Sequence, residues 1–338
     1  MPANLTPQYL AAEERYKSAV TPQEKADALR EMLATIPKHK GTEKLQADLK
    51  RRLAKLGDEA GKKHGVSKAS AIYSVRREGA AQVVLVGVPN VGKSSLLSCL
   101  THATPEVGDY AFTTRLPQPG MMPFENIQIQ IVDLPPVARE FYEPWIGNVI
   151  RSADLALLVV DLSSDDVLDE VEEVLGLLEH SRIYLLGTPG EKPEPEPPNA
   201  ACCDTMLIAN KSDGPASAGN LEILREFYGG KFRIFPVSAT LGDGLGELPR
   251  AVFDRLGLVR IYTKAPGRKV ELATPPYVLR RGCTVLDVAR AVHRDFEHSL
   301  KFARIWSSHG AAGTVKFDGQ MVERHHCLDD GDILELHV

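Results

Sequence analysis

The sequence lacks long apolar runs, a leader pattern at its N-terminus and a paired set of cysteines. No stretch approaches the ~18 unbroken apolar residues that a membrane helix needs, so we expect no membrane span. The first residues, MPANLTPQYLAAEER, do not combine a basic start with an apolar stretch, and we expect no secretory signal. The five cysteines are an odd number without paired spacing, which favours free thiols in a reducing compartment. These absences predict a cytoplasmic protein.

Charge is distributed unevenly along the chain, although the formal net charge is only −5. Residues 1–80 have 16 Lys and Arg against 10 Asp and Glu, whereas residues 81–258 have 12 against 25. Residues 259–338 have 12 against 10. A basic arm and a mildly basic tail beside an acidic centre are typical of a protein with a polyanionic partner. The alternative is a solvated helical surface, and charge alone leaves both interpretations open.

Residues 1–60 have the pattern of a helical arm. The segment TPQE at 21–24 is a capping box with proline at the first helical position, and it predicts a helix to about Ile36. A second apolar stripe predicts a helical hairpin with one apolar seam. This stripe consists of Leu45, Leu49, Leu53 and Leu56, opposite the basic residues Lys50, Arg51, Arg52 and Lys55. Residues 61–80 form a basic linker in this interpretation.

Residues 81–258 alternate between strand-like and helix-like segments. The apolar run QVVLVG begins this part, and similar runs recur at Ile127–Val132, Leu155–Val160, Met206–Ile208 and Phe232–Val237. Helical patterns between most of these runs predict an α/β fold with a mostly parallel sheet between helices. From residue 259 a shorter, mixed pattern predicts a small α+β domain, with a helix that Thr284 opens and a strand at the end.

A phosphate-binding pattern, GxxxxGK[ST], follows the first strand of the α/β segment and precedes a helix. Its glycines let successive backbone N–H groups turn inward, and the N-terminus of the helix adds its dipole. We expect Lys93 to contact the β- and γ-phosphates, and the Ser94 hydroxyl to bind Mg²⁺. The predicted phosphate-binding residues are Gly87, Val88, Pro89, Asn90, Val91, Gly92, Lys93, Ser94 and Ser95.

Two further strand ends carry residues that fit the same ligand. Asp133 ends the apolar run IQIVD and can reach the magnesium shell from the opposite side. The segment Asn210-Lys211-Ser212-Asp213 ends another strand. The carboxylate of Asp213 can accept both donors of guanine, and adenine has no matching pair. We expect Lys211 to lie along the base, Asn210 to bind the phosphate loop, and Ser238-Ala239 to supply a backbone N–H to the guanine oxygen.

These motifs, in this order, make the chain resemble an Obg-type GTPase, most closely the developmentally regulated GTP-binding (DRG) proteins. The resemblance covers much of residues 40–338, including the P-loop, DYAFTT at 109–114, the Asp133-Leu134-Pro135 segment, NKSD and the tail LVRIYTK. It implies a Ras-like GTPase domain over residues 81–258 and a TGS domain, a β-grasp fold, over residues 259–338. It also implies that Thr114 is the catalytic switch-I threonine, which closes on Mg²⁺ and the γ-phosphate.

Three features of the sequence depart from the family pattern: Pro136, the loop at 187–201 and Asn90. Pro136 replaces a glycine whose N–H contacts the γ-phosphate, and proline has no N–H to donate. Only a Pro/Glu-rich loop at 187–201 stands where the family has a sizeable insertion, so a partner surface of the family is expected to be missing. Asn90 replaces a small residue of the family's P-loop, and an asparagine at this position is similar to that of GTPases that hold K⁺ beside the phosphates. Val137 stands where Ras-like enzymes have a catalytic glutamine, but the resemblance implies a hydrophobic residue at this position, so it is not a departure. Catalysis is then expected to depend on Mg²⁺, Lys93, backbone donors and a monovalent cation.

The resemblance implies a protein that binds GTP and GDP with Mg²⁺, hydrolyses GTP slowly and docks on ribosomal or other structured RNA, or on a protein partner. One alternative is a nucleotide-binding scaffold whose hydrolysis Pro136 impairs. A second alternative is a protein–protein adaptor that uses the TGS domain without nucleic acid. Aromatic residues of the tail (Tyr262, Tyr277, Phe302 and Trp306) fit either RNA stacking or a half-buried sheet.

Overall fold

The computed structural model describes residues 7–18, 22–36, 49–51, 73, 75–101, 116–188, 197–267, 275–307, 315 and 317–337. The chain divides into two compact units, Met1–Ser74 and Val75–Val338. No helix within these described ranges is long and apolar enough to cross a membrane.

In the part of the N-terminal unit that the structure describes, the helices are α1 (Pro7–Ser18) and α2 (Pro22–Thr35), and residues 49–51 are also helical. Helix α2 has nearly the bounds that the sequence predicted, but its partner is α1, which the sequence analysis did not single out. Buried residues of both helices form one cluster with Leu49 of the predicted second stripe, and its members are Tyr9, Ala12, Leu29, Met32, Ile36 and Leu49. The capping box, half of the basic stripe and most of the second apolar stripe stay predictions, because Thr21, Arg52, Lys55, Leu45, Leu53 and Leu56 lie outside the described residues. Lys50 and Arg51 are exposed.

The second unit begins with a seven-stranded sheet. Its strands are β1 (Gln82–Val86), β2 (Gln118–Phe124), β3 (Ile127–Asp133), β4 (Leu155–Asp161), β5 (Ile183–Leu186), β6 (Ala201–Asn210) and β7 (Ile234–Pro236). The order is β2-β3-β1-β4-β6-β5, and β7 also pairs with β6. All of these pairings are parallel except that of β2 with β3. The helices are α3 (Lys93–Thr101), α4 (Pro144–Ser152), α5 (Val167–His180), α6 (Ser217–Tyr228) and α7 (Leu248–Leu256).

The central strands form because their residues are apolar on both faces. Every residue of β1 is buried, as are the first six of β4, so both faces of these strands are covered. This is the burial expected of parallel strands between helices. The register aligns the C-terminal ends of the central strands, with Leu85 opposite Asp133 and Asp161 opposite Asn210. Polar residues that follow these strands therefore meet at one edge of the sheet.

The C-terminal part forms a second, five-stranded sheet with the order β11-β10-β12-β8-β9. Its strands are β8 (Leu258–Thr263), β9 (Tyr277–Arg280), β10 (Phe302–Trp306), β11 (Gln320–Val322) and β12 (Ile333–His337). Two helices, α8 (Val285–Val292) and α9 (Arg294–Ser299), lie between β9 and β10. Asp287 accepts hydrogen bonds from the backbone N–H and hydroxyl of Thr284, which fixes the start of α8. The mixed α+β pattern is confirmed. The structure also has β11 and α9, which the sequence analysis did not predict.

The two sheets are joined through the buried residue Arg260 at the start of the second sheet. Its guanidinium donates to Asp330 of its own domain and to Glu125, in the turn between β2 and β3. It also lies over the rings of Phe124 and Phe253, 5.6 Å and 5.2 Å from their centroids. An arginine with this many partners fixes the C-terminal domain on the end of the β2–β3 hairpin.

Candidate functional site

The phosphate-binding loop lies between β1 and α3, and two close approaches explain its glycines. A Cβ atom on Gly87 would lie 2.4 Å from the carbonyl oxygen of Val159. A Cβ atom on Gly92 would lie 2.3 Å from Nδ2 of Asn210, and Gly92 also has a φ of 91°. Only glycine fits both positions, because the backbone must turn tightly against its neighbours. Within this loop Val88 and Val91 are buried, Pro89 is half-buried, and Asn90 and the adjoining helical Ser95 are exposed.

Lys93 begins helix α3 and points its ammonium group into the loop. Its Nζ donates to the carbonyl oxygens of Gly87 and Val88, at 3.0 Å and 2.9 Å. Burial lowers the pKa of Lys93 to about 8, and the negative charge of Asp133 opposes part of this shift. The side chain is 7% exposed, so its charge is little screened by solvent. The loop therefore places a buried cation beside the N-terminus of a helix, where anions bind.

Ser94 and Asp133 bring hard oxygen ligands together beside this cation. The Ser94 hydroxyl donates to Oδ2 of Asp133. The other carboxylate oxygen, Oδ1, is buried and has no hydrogen-bond partner among the described residues. Burial raises the pKa of Asp133, while the hydrogen bond from Ser94 and the charge of Lys93 act in the opposite direction. A hydroxyl and an unsatisfied carboxylate oxygen are a donor set that fits Mg²⁺.

The predicted base-recognition segment joins the phosphate loop through Asn210, which is 1% exposed. Its Nδ2 donates to the carbonyl oxygen of Val91 at 2.8 Å. Its Oδ1 accepts from the backbone N–H of Ala239 at 3.1 Å. Asn210 thus links three loops that follow different strands, as expected where ligands bind at the carboxyl edge of such a sheet.

Asp213 is held by the side chain of Ser238, a residue for which the sequence analysis predicted only a backbone role. The hydroxyl of Ser238 donates to Oδ1 of Asp213 at 2.5 Å and accepts from the N–H of Leu241 at 3.0 Å. The N–H of Ser238 itself donates to the carbonyl oxygen of Asp243 at 2.9 Å. The N–H of Ser238 is thus already engaged, and that of Ala239 is bonded to Oδ1 of Asn210. A guanine oxygen that accepts from Ala239 would therefore compete with Asn210.

The segment after Asp133 offers few backbone donors. Pro135 and Pro136 have no N–H, and Pro135 is buried while Pro136 is half-buried. The next N–H, that of Val137, donates to the carbonyl oxygen of Gly87 at 3.0 Å. Val137 is apolar and fully buried, so this position supplies no polar side chain. The predicted switch threonine, Thr114, lies outside the described residues and stays a prediction.

Sequence reasoning missed Asp161, the last residue of β4. Its Oδ2 forms an ion pair with the ammonium group of Lys211. The signal was an aspartate that ends an apolar strand, LALLVVD, just as Asp133 ends IQIVD. Because the partner is a long side chain in the loop that follows another strand, spacing along the sequence does not reveal the pair.

Comparisons with known families agree with these two parts of the second unit. The family described as 50S ribosome-binding GTPase matches residues 82–188. The TGS domain family matches residues 259–338. The first match contains the phosphate loop and Asp133, and the second contains the five-stranded sheet.

Similar curated proteins align with the chain over nearly its whole length. A GTP-binding protein of Methanocaldococcus jannaschii is 29% identical, over 94% of this chain and 93% of the relative. Ribosome-interacting GTPase 1 of Saccharomyces cerevisiae is 28% identical, over 94% and 99%. Developmentally-regulated G-protein 2 of Arabidopsis thaliana is 26% identical, over 90% and 88%. The chain is therefore similar over nearly its whole length to GTP-binding proteins, the developmentally regulated G-proteins among them, and it contains one match to a GTPase family and one to the TGS domain family.

Proposed function

We propose that this protein binds GTP and GDP with Mg²⁺, hydrolyses GTP slowly and acts as a switch on the ribosome or another structured RNA. The observation that carries the proposal is the convergence of three loops at one sheet edge. Asn210 bridges the phosphate loop and the loop of Ala239, while Ser94 bonds Asp133 across the same edge. This arrangement supports placing the phosphates at Lys93 and the base at Asp213.

Lys93 and the backbone of the loop supply the phosphate site. The ammonium group would contact the β- and γ-phosphates, and the N–H groups at the start of α3 would face the same oxygens. Ser94, Asp133 and, in our proposal, Thr114 would hold Mg²⁺, which when bound supplies positive charge to the phosphate oxygens. Asn90, which is exposed at the loop tip, is the residue that we propose for K⁺.

Hydrolysis would be in-line attack of water on the γ-phosphorus, with no side-chain base at Val137. Val137 is apolar and buried, so it can neither orient nor deprotonate a water molecule. Catalysis would then depend on charge stabilisation around the γ-phosphate by Lys93 and backbone donors. This is the physical reason for proposing a slow enzyme.

The base site depends on the carboxylate of Asp213. Ser238 occupies one of its oxygens, Oδ1, and the carboxylate is itself exposed. An ionised carboxylate only accepts hydrogen bonds, so it suits the two adjacent donors of guanine. The residues that we propose around the base are Asn210, Lys211, Asp213, Ser238 and Ala239.

For the RNA partner we propose the part of the TGS sheet that Arg260 leaves uncovered. Arg304 on β10 and Met321 on β11 are opposite each other in the register and both exposed. On the same face the ring of Trp306 lies 3.7 Å from the ammonium group of Lys264. Lys264 also forms an ion pair with Glu335 and is largely buried, so Arg304 is the cation that we propose for phosphate contact. Rings and exposed cations on a sheet face are features with which proteins contact RNA bases and phosphates. The similarity to Ribosome-interacting GTPase 1 supports this choice of partner.

Sedimentation with ribosomes tests the switch. The full chain should pellet with ribosomes to different extents with GDP, GTP and a non-hydrolysable GTP analogue. Arg304→Glu should reduce pelleting and the salt dependence of binding, by about one unit of logarithmic slope for each phosphate that is no longer neutralised. Arg225→Glu, at an exposed site on α6, is the matched control. Pelleting that is independent of nucleotide would contradict the switch.

One second candidate is supported by a specific contact. Because Val137 donates its only N–H to Gly87 and Pro136 has none, the segment can hold the loop without contacting a γ-phosphate. A nucleotide-binding scaffold with impaired hydrolysis would have this feature.

We further propose a cytoplasmic location, the domain limits 1–60, 61–80, 81–258 and 259–338, and the Obg-type subgroup.

A further inference from the structure

Asp161 connects two neighbouring strand ends of the candidate site. Its Oδ2 pairs with Nζ of Lys211, whose side chain is 37% exposed, while that of Asp161 is 13% exposed. In the register Asp161 lies opposite Asn210, and the N–H of Leu162 donates to the carbonyl oxygen of Asn210 at 2.9 Å. The ion pair therefore joins the residue that ends β4 to the residue that follows β6.

The two carboxylate oxygens of Asp161 have separate partners. Oδ1 accepts from the N–H and the hydroxyl of Ser163, at 2.8 Å and 2.6 Å, and Oδ2 is left for Lys211. Burial alone raises the pKa of Asp161, but the hydrogen bonds from Lys211 and Ser163 outweigh it, and the pKa lies below its ordinary value. The group is ionised at neutral pH, and one oxygen is dedicated to the lysine.

Lys211 needs such a partner for two reasons. Its φ of 60° is a backbone conformation that L-residues rarely adopt, so the surrounding structure must hold it. Its long side chain loses much rotamer freedom when it is ordered. A lysine whose ammonium group is already bound brings a pre-ordered stem to its ligand, and pre-ordering lowers the cost of binding.

We propose that Asp161 is a positioning residue for the nucleotide base, which acts by anchoring Lys211 so that its methylene stem forms one wall of the base site. The inference rests on the proposed guanine-nucleotide function. The stem makes apolar contact and is indifferent to the substituents of the purine. Asp161 thus sets the affinity for the base, whereas Asp213 sets the choice of base.

The Asp161→Asn variant removes the ion pair with Lys211 but keeps an acceptor for the hydrogen bonds that Ser163 donates. Asparagine keeps an oxygen for Ser163 but presents an amide donor to the ammonium group of Lys211. Titration with GDP, GTP and IDP should show binding weaker by about tenfold for all three, because the loss of anchoring is common to them. The preference for GDP over IDP should be unchanged. Asp165→Asn removes an exposed carboxylate close by in the sequence without touching the ion pair, and its affinities should stay within about twofold of the wild type.

A double-mutant cycle with Lys211→Met tests whether Asp161 acts through the lysine. Methionine keeps an apolar stem without the ammonium group, so the double variant should bind as weakly as Lys211→Met alone. Fully additive losses would overturn the proposal, as would an unchanged affinity of Asp161→Asn. If Asp161→Asn does not fold, wild-type affinity of Lys211→Met would overturn it equally. A wild-type chain that binds no guanine nucleotide would instead refute the proposed function.

Discussion

The backbone N–H of Val137 donates to the carbonyl oxygen of Gly87 across 3.0 Å. This bond ties the segment after Asp133 directly to the first residue of the phosphate loop. In a GTPase switch, a backbone N–H of this segment is released to the γ-phosphate, so that the GTP and GDP states differ in order. Here Pro136 has no N–H and the next one is already engaged. The chain is therefore expected to distinguish GTP from GDP poorly through this segment.

Replacing Pro136 by glycine should restore the missing donor. A charge-assisted hydrogen bond to a phosphate contributes about 1.5–3 kcal/mol. We expect Pro136→Gly to bind GTP more tightly relative to GDP, or to hydrolyse it faster, by tenfold or more. Titration and single-turnover assays measure both quantities, and hydrogen exchange over residues 133–151 should become more nucleotide-dependent. If none of these changes, the switch operates without this segment.

Asp213→Asn should change the base that the protein prefers. The amide places a donor where the carboxylate accepted one, so guanine meets a mismatch and xanthine gains a partner. Mismatches of this type cost about 10⁴-fold in discrimination. Competition of GTP, XTP and ATP for the wild type and the variant gives the measurement. A wild type that binds ATP as well as GTP would refute the assignment of Asp213.

Gly92→Ala should disrupt the site through Asn210. The added methyl group would lie 2.3 Å from Nδ2 of Asn210, and the φ of 91° would be strained for alanine. Displacing Asn210 breaks its bond to Val91, and we expect a loss of about 1–3 kcal/mol in the free energy of unfolding, together with weaker nucleotide binding.

Urea unfolding of Gly92→Ala has a matched control in Gly219→Ala. Gly219 lies in helix α6, and a Cβ atom there meets nothing within 4 Å. Alanine should stabilise the protein by about 0.5–1 kcal/mol at this position. Equal effects of the two substitutions would mean that the contact with Asn210 has no energetic role.

Arg260→Ala should loosen the TGS domain from the GTPase domain. The variant removes the cation that Asp330 and Glu125 share, whose side chains are 20% and 51% exposed. Charge-assisted hydrogen bonds in such a partly buried cluster contribute about 1.5–3 kcal/mol. The control is Arg250→Ala, because the Arg250 side chain is 60% exposed and should contribute under about 1 kcal/mol. Urea unfolding that shows the same small loss for both variants would contradict the role of Arg260.

The sequence predicted the elements that repeat along the chain better than the contacts between them. The apolar runs of β3, β4 and β6 and the helix start at Thr284 are local patterns, and each appears in the structure. Strand β2 was missed because QPGMMPF has two prolines and a glycine, and it is held by antiparallel pairing with β3 at an edge.

Side-chain partners at the site were harder to predict than its motifs. The P-loop and NKSD are each a continuous segment of the sequence, so each can be recognised from its residue types alone. The pairs Asp161–Lys211 and Ser238–Asp213 join residues 50 and 25 positions apart. They depend on strand order, which hydrophobic periodicity does not specify. The same holds for Arg260, whose partners Glu125 and Asp330 come from two domains.

Single-turnover hydrolysis of GTP tests the central claim most directly. An excess of the chain of residues 1–338 with Mg²⁺ should convert labelled GTP to GDP faster than buffer with Mg²⁺ alone, and it should leave ATP intact. Lys93→Ala should remove the acceleration, because this residue supplies the buried cation at the phosphates. Decay of GTP at the rate of buffer, or at the same rate with Lys93→Ala, would contradict the assignment of this site as a GTPase centre.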